Sequence, residues 1–315
     1  MHGLPVGFLR ACGPRLCRAL AAIATASLKL EYYPATFKKA RVVVIPKPGK
    51  PPEVRSTTGG WRLISLLSTL GKVVETAIGR RIANAAEKRG LLPEGQIGNR
   101  TQRSTELAIK VVVEAAKEAW AQGGLAALLQ LDIKGAFDTV HHERLVKTMR
   151  KLGYPEWLVN WLKSFLAHRI SHLSFDGEIS EEFHIRTGVP QGSPLSPILF
   201  LLYIASLYEE LQREHPQLLL VGFADDTNLM AVGYSELANC KQLEDAWGTC
   251  ERWARSRGME FAPQKSELMH FTRTRRAPKA SVMLGEMQIQ PVESARFLGV
   301  WLDRKLRWRA HLEKV

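Results

Sequence analysis

Val221-Gly222-Phe223-Ala224-Asp225-Asp226-Thr227-Asn228-Leu229-Met230 places two adjacent carboxylates between two short apolar runs. The pattern reads as a β-hairpin with Asp225 and Asp226 at its turn. Paired aspartates in an apolar hairpin are costly unless positive charge sits on them. A divalent cation is the usual answer, because hard cations take carboxylate oxygens. A third carboxylate, Asp132, ends another apolar run, Leu125 to Leu131. Two strand-borne aspartate sites suit a two-metal phosphoryl-transfer centre. The pair alone equally suits a solvated acidic turn, since Asp is at home in turns.

Outward from this hairpin, helical and strand patterns alternate. Leu67, Leu70, Val74, Ala77, Ile78, Arg81, Ile82 and Ala85 follow helical spacing, with Gly90 as the stop. A second helix runs from about Ser104 to Trp120 and ends before Gly123-Gly124; the strand into Asp132 follows. Helices are expected from about His141 to Leu152 and from Pro155 to Ala167, with Pro155 in a first turn. Asp176-Gly177, between Ile170–Phe175 and Glu178–Arg186, signals a hairpin. Ser196 and Pro197 read as the cap and first turn of a helix to about Arg213. A helix from about Ser235 to Arg257 and short strands at 267–271, 281–284 and 297–301 complete the chain. Hairpins among alternating strands and helices give an α+β class with a mainly antiparallel sheet.

The 315 residues are 45% hydrophobic, enough for a sizeable core and for about two domains or subdomains. Lys plus Arg number 44 against 31 Asp plus Glu, a net charge of +13. That balance favours a polyanionic partner, nucleic acid first and an anionic membrane second. The four cysteines, Cys12, Cys17, Cys240 and Cys250, lack zinc-site spacing. Cys240 and Cys250 fall in a helical apolar stripe with Leu237, Leu243, Trp247 and Trp253, as buried thiols of a reducing compartment do. The longest apolar stretch, Ile198 to Leu207, is too short to span a membrane. Met1 to Leu30, with Arg10, Arg15 and Arg18, reads as an amphipathic helix rather than a targeting peptide.

Three further segments carry chemistry. Asp132-Ile133-Lys134-Gly135-Ala136-Phe137-Asp138 sets an aromatic five residues after the first Asp. Gly188-Val189-Pro190-Gln191-Gly192-Ser193-Pro194-Leu195-Ser196-Pro197 is a Gly/Pro-rich loop feeding a helix. Lys265 follows the helix after the Asp pair, and Phe297-Leu298-Gly299 comes later. In this order and at these spacings, the chain resembles the reverse transcriptase domain of non-LTR (LINE-type) retrotransposons, from about Tyr33 to Asp303.

The resemblance implies a right-hand polymerase fold of fingers and palm, with an antiparallel palm sheet. It implies an RNA-directed DNA polymerase that adds dNTPs to a DNA primer 3′-end on an RNA template. Asp132, Asp225 and Asp226 would be the catalytic and metal residues, holding two Mg²⁺ ions, with Mn²⁺ able to substitute. Phe137 resembles the family's steric gate against a 2′-hydroxyl; an ordinary core Phe is the plainer reading. Asp138 would cap the following helix. Gln191 and Gly192 resemble the loop beside the templating base and incoming nucleotide, where Gly permits close backbone approach. Arg62, in Trp61-Arg62-Leu63-Ile64-Ser65, looks like the fingers Arg that contacts the triphosphate, with Leu63 where the family usually has Pro. Lys47 and Lys50, in the Pro/Gly-rich loop from Ile45 to Pro52, are weaker phosphate candidates, since a lone loop Lys is more often merely solvated. Lys265 resembles a late-palm Lys that protonates pyrophosphate, or is a surface Lys paired with Glu267 or with a nucleic-acid phosphate. Phe223 stands where many relatives carry Tyr. Arg273, Arg275, Arg276, Arg304, Lys305, Arg307 and Arg309 are candidate contacts to the template–primer backbone. His141 and His142 are adjacent and point different ways on a helix, so they suit packing better than a metal.

The expected organisation is a helical lead-in over 1–30, fingers and palm over 31–303, and the start of a truncated thumb over 304–315. Fingers would take about 30–124 and 142–187. Only 16 residues follow Gly299, so the thumb is expected to be largely absent. A maturase-like or telomerase-like enzyme would share the core and need a further RNA-binding domain. A viral RNA-dependent RNA polymerase would carry a polar residue at Phe137. A catalytically inactive nucleic-acid-binding relic is the reading from a different class. No membrane partner is expected, and nuclear action is implied by the family alone.

Overall fold

The computed structural model describes residues 6–47, 57 and 60–314. In chain order it begins with α1 (Val6–Ala11), α2 (Gly13–Lys29), β1 (Lys39–Pro46), β2 (Trp61–Leu66), α3 (Thr69–Lys88) and α4 (Thr105–Ala121). Then come β3 (Leu125–Asp132), α5 (His142–Lys151), α6 (Glu156–Leu166), β4 (Arg169–Phe175), β5 (Glu178–Ile179), β6 (Phe183–Ile185) and α7 (Ser196–Glu214). The rest are β7 (Leu219–Phe223), β8 (Asp226–Gly233), α8 (Glu236–Arg257), β9 (Glu267–Phe271), β10 (Val282–Leu284), β11 (Met287–Ile289), β12 (Ser294–Phe297), β13 (Val300–Asp303) and α9 (Arg309–Lys314). The chain forms two compact units, Met1–Arg89 with Phe137–Tyr203, and Gly90–Ala136 with Ile204–Val315. α4 falls in the second unit, because its apolar stripe packs on that unit's sheet.

In the first unit β1 pairs antiparallel with β2 and parallel with β4. β5 and β6 both add antiparallel to β4, so the sheet is mixed. A parallel pair needs a long crossover and leaves no local turn signal, which is why the sequence suggests only hairpins. The segment after Asp176-Gly177 is two short strands rather than one continuous run. Tyr33, fully buried, sets its ring edge-on to Trp161 and Phe165 at 5.5 and 5.1 Å. Trp161 donates its indole N–H to the Ser27 hydroxyl at 2.8 Å, tying α6 to α2. The N-terminal helix is broken at Cys12-Gly13-Pro14, and α2 buries only Leu20 and Ser27.

In the second unit the sheet order is β7-β8-β3-β9, antiparallel at every pairing. Central β3 is buried on both faces from Ala126 to Leu129, which is why it reads as one continuous apolar run. Ala126 and Leu128 cluster with Met230, Met269 and Phe271 beneath Ala108, Val112, Ala116 and Ala119 of α4. The other face carries Ala127 and its cross-strand neighbour His270, which meets Cys240 of α8. Cys240, Leu243, Trp247, Cys250 and Trp253 are buried there, but Leu237 is 73% exposed and leaves the expected stripe. Both thiols are free, and burial pushes each up to about 12.

Ser68, Ser104 and Ser235 cap α3, α4 and α8 through their hydroxyls. Three expected local roles are corrected. Pro155 is the residue before α6 rather than in its first turn. Ser196 begins α7 and sends its hydroxyl back to the Pro190 carbonyl at 2.9 Å. Asp138 caps nothing: α5 starts at His142, and the Asp138 carboxylate accepts from Gln191 instead. The expected strand at 297–301 is a hairpin, with Leu298 and Gly299 both at positive φ between β12 and β13. Apolar residues on both sides of that turn hide it from a pattern reading. No helix among the described residues is long and apolar enough to cross a membrane.

Candidate functional site

Asp132 and Asp226 are register partners on adjacent strands β3 and β8. Directly opposed residues share a sheet face, so both carboxylates leave the same side. Asp225 precedes β8 in the turn and Ala224 before it sits at φ +57. A non-glycine residue in that region costs about 1 kcal/mol, which neighbouring contacts must offset. They come from the Gly95–Gly98 loop: Gly222 N–H donates to the Gly95 carbonyl at 2.7 Å, and Ile97 N–H to the Gly222 carbonyl at 2.8 Å. Beneath the hairpin, buried Tyr208 places its hydroxyl 3.3 Å from Thr227 Oγ1, and burial drives the phenol far above its ordinary range.

A short extension of β3 builds the rest. The Asp132 carbonyl accepts from Ala262 N–H, and Lys134 N–H donates to the Glu260 carbonyl, each at 2.8 Å. That returns the chain beside Asp132, and Lys265 Nζ lies 2.6 Å from Asp132 Oδ2. Pairing of Lys265 with Glu267 is thus corrected to pairing with Asp132. One cleft is lined by Gln130, Asp132, Asp226, Asn228, Lys265 and Arg296. Arg296 escaped the sequence reading, although it directly precedes Phe297-Leu298-Gly299. Arg304, expected to face nucleic acid, instead bonds Glu293 at 2.7 Å and the carbonyls of Thr274 and Arg276, with its side chain 15% exposed.

Loss of hydration, then repulsion from Asp225 and Asp132, pushes the Asp226 carboxyl up to about 6. Crowded anionic oxygens of this kind are the donor set that Mg²⁺ or Mn²⁺ takes. Their chemistry therefore fits the implied ions. Among the described residues, however, no three His, Cys, Asp or Glu side chains close around a metal position. Lys265 supplies the positive charge on Asp132.

Phe137, Gln191, Gly192, Arg62 and Lys47 lie in the first unit. Phe137 is partly buried, its ring 5.1 Å from that of buried Phe200. Its carbonyl accepts from Val189 N–H at 2.7 Å. Gln191 sends Nε2 to Asp138 Oδ2 at 3.0 Å, and its carbonyl accepts from Ser65 N–H at 2.9 Å. Burial raises the Asp138 carboxyl against that bond. Gly192 is exposed at φ +115. Arg62 is exposed on β2, opposite Ile45. Lys47 ends the described part of β1's exit with its N–H on the Gly60 carbonyl at 2.8 Å, and Lys50 lies outside the described residues.

His142 is half-buried with Nε2 2.8 Å from the Gly188 carbonyl. Burial lowers its pKa, partly opposed by that bond. A histidine lowered in the folded state gives stability that is present above its unfolded pKa, about 6.5, and lost as pH falls through the folded value. We expect urea midpoints of wild type to fall more than those of His142→Gln between about pH 7.5 and pH 5.5. Equal falls would remove His142 from the acid response.

The structure is similar to telomerase from Candida tropicalis in complex with a fragment of telomeric RNA. The TM-score is 0.58 at 12% identity, over 92% of this chain and 47% of that one. Apo telomerase from the same organism, truncated from its C-terminal domain, gives 0.56 over 86% and 54%. These likenesses define the fold as the α+β polymerase type of reverse transcriptases and telomerases, with a mixed sheet. The family model "Reverse transcriptase (RNA-dependent DNA polymerase)" matches residues 45–302. Among curated relatives, the RNA-directed DNA polymerase from mobile element jockey of Drosophila melanogaster is 31% identical over 94% of this chain and 32% of its own length. The probable RNA-directed DNA polymerase from transposon X-element of the same fly is 33% identical over 92% and 31%. The chain belongs to the reverse transcriptase family, as a reverse transcriptase domain of the non-LTR (LINE-type) retrotransposon kind. It spans about a third of the length of these relatives.

Proposed function

We propose that this domain is an RNA-directed DNA polymerase that extends a DNA primer on an RNA template with dNTPs. The observation that carries the reading is the register pairing of Asp132 with Asp226, with Asp225 in the adjoining turn. Asp132, Asp225 and Asp226 would hold two Mg²⁺ ions; when bound, these lower the pKa of the primer 3′-hydroxyl and neutralise charge on the triphosphate. Lys265 is paired with Asp132 and is assigned as the proton donor for departing pyrophosphate. Arg296 adds a second cation to the same cleft, suited to phosphate oxygens. Arg62 and Lys47 are assigned to the triphosphate, and Gln191 and Gly192 to the templating base and incoming nucleotide. The net charge of +13 supports a nucleic-acid partner.

Primer extension on poly(rA)/oligo(dT) with dTTP and Mg²⁺ tests the reading. Incorporation by the purified chain supports a polymerase. Tight duplex binding with no incorporation points instead to a non-catalytic binding domain.

Phe137 is assigned to the sugar. Phe137 is partly buried with its ring 5.1 Å from that of Phe200, and in this assignment it tolerates deoxyribose and obstructs a 2′-hydroxyl. Phe137→Ala is expected to raise kcat/KM for ribonucleotides relative to deoxyribonucleotides by about tenfold or more, about 1.4 kcal/mol of lost discrimination. Unchanged sugar selectivity would leave Phe137 as a core residue.

A further inference from the structure

Glu75 is fully buried on α3, where an isolated carboxylate is costly. Both of its oxygens are bonded: Tyr33 donates its hydroxyl to one, and Ser193 donates its hydroxyl to the other. Ser193 Oγ in turn accepts from Leu195 N–H at 3.1 Å, ahead of α7. Arg169, 2% exposed, lies close enough for its charge to be favoured by Glu75. An apolar side chain would serve packing alone at least as well. The carboxylate does something an apolar group cannot: it fixes the Pro190–Ser193 turn to α3 by a charge-assisted bond.

The same turn is gripped from its other side by β2. Ser65 N–H donates to the Gln191 carbonyl at 2.9 Å, and a Cβ on Gly192 would stand 2.7 Å from the Ser65 carbonyl oxygen. Gln191 and Gly192 are therefore held between a strand and a buried acid, with little room to shift. We propose that Glu75, acting through Ser193, is the positioning residue that sets the Gln191-Gly192 backbone for nucleotide selection. The inference rests on the polymerase reading for its readout in nucleotide selection, and on geometry alone for the coupling of Glu75 to the loop.

The test compares Ser193→Ala, Glu75→Gln, their double variant and Tyr33→Phe, each checked by circular dichroism and thermal melting. Tyr33→Phe removes the carboxylate's bond remote from the loop and reports the purely structural cost. Ser193→Ala is expected to raise KM for dTTP about tenfold, the loss of one hydrogen bond to a charged group, with kcat within about twofold. Misinsertion rises alongside. Glu75→Gln, with a single acceptor for two hydroxyls, gives a smaller rise, and the double variant adds less than the sum. Tyr33→Phe lowers the melting temperature and leaves KM alone. Equal KM changes in Ser193→Ala and Tyr33→Phe, or none in either, overturn the proposal. Hydrogen exchange over residues 188–196 is measured in parallel and needs no activity. Should wild type fail to polymerise, the polymerase reading fails by itself. Faster exchange in Ser193→Ala then sustains the coupling, and unchanged exchange overturns it.

Discussion

Asp225→Asn is expected to reduce dTTP incorporation by about 10³-fold or more, the several kcal/mol a carboxylate-held cation contributes to charge stabilisation. The substitution keeps the shape of the side chain and removes its charge. It also relieves Asp226, whose carboxyl is pushed up to about 6 partly by repulsion from Asp225. Thermal melting beside wild type reports the net effect of losing this charge on the fold. Template–primer affinity, measured by filter binding, is expected to stay within about twofold, because backbone phosphate contacts come from many cations. Loss of binding along with synthesis would make Asp225 a structural residue of the turn.

Gly98→Ala is expected to destabilise the domain by about 3 kcal/mol, the upper range for forced overpacking, and to depress kcat with it. A Cβ at this position would stand 2.5 Å from Ala224 N and 2.8 Å from Phe223 Cα. Both atoms are backbone, so no side-chain rotation relieves the contact. Ala224 already sits at positive φ immediately before the aspartate pair, so the turn has little slack. Urea denaturation with primer extension on the same preparation checks both halves. By contrast a Cβ on Gly7 meets nothing within 4 Å, and Gly7→Ala should be neutral or slightly stabilising. A Gly98→Ala domain as stable as wild type would show that the 95–98 loop does not fix the turn.

The hairpin carrying Asp225 and Asp226 and the strand ending in Asp132 were legible because each is a local pattern, alternation or a continuous apolar run. The β1–β4 pairing was not, since nothing local joins residues 39–43 to 170–174. The aspartates announce a site by type and order, but the partner of Lys265 depends on a backbone return through 260–262 that no spacing encodes. Arg296 was missed because a single Arg in a short strand looks like any solvated surface residue. Glu75 was missed for the opposite reason: it lies within a helical stripe, and its burial becomes visible only once Tyr33 and Ser193 converge on it.

Tyr208 and Gly222 form a pair whose histories are bound together. The Tyr208 hydroxyl stands 2.1 Å from where a Cβ on residue 222 would be, and Tyr208 is itself buried with no space to withdraw. A methyl at 222 is admissible only beside a shorter side chain at 208, while a shorter side chain at 208 alone leaves a void under Thr227. Either single step passes through a damaged hairpin three residues from the first of the paired aspartates. Natural drift and laboratory selection alike therefore meet an epistatic barrier here, and libraries that vary one position at a time will report both as immutable when only their combination is constrained.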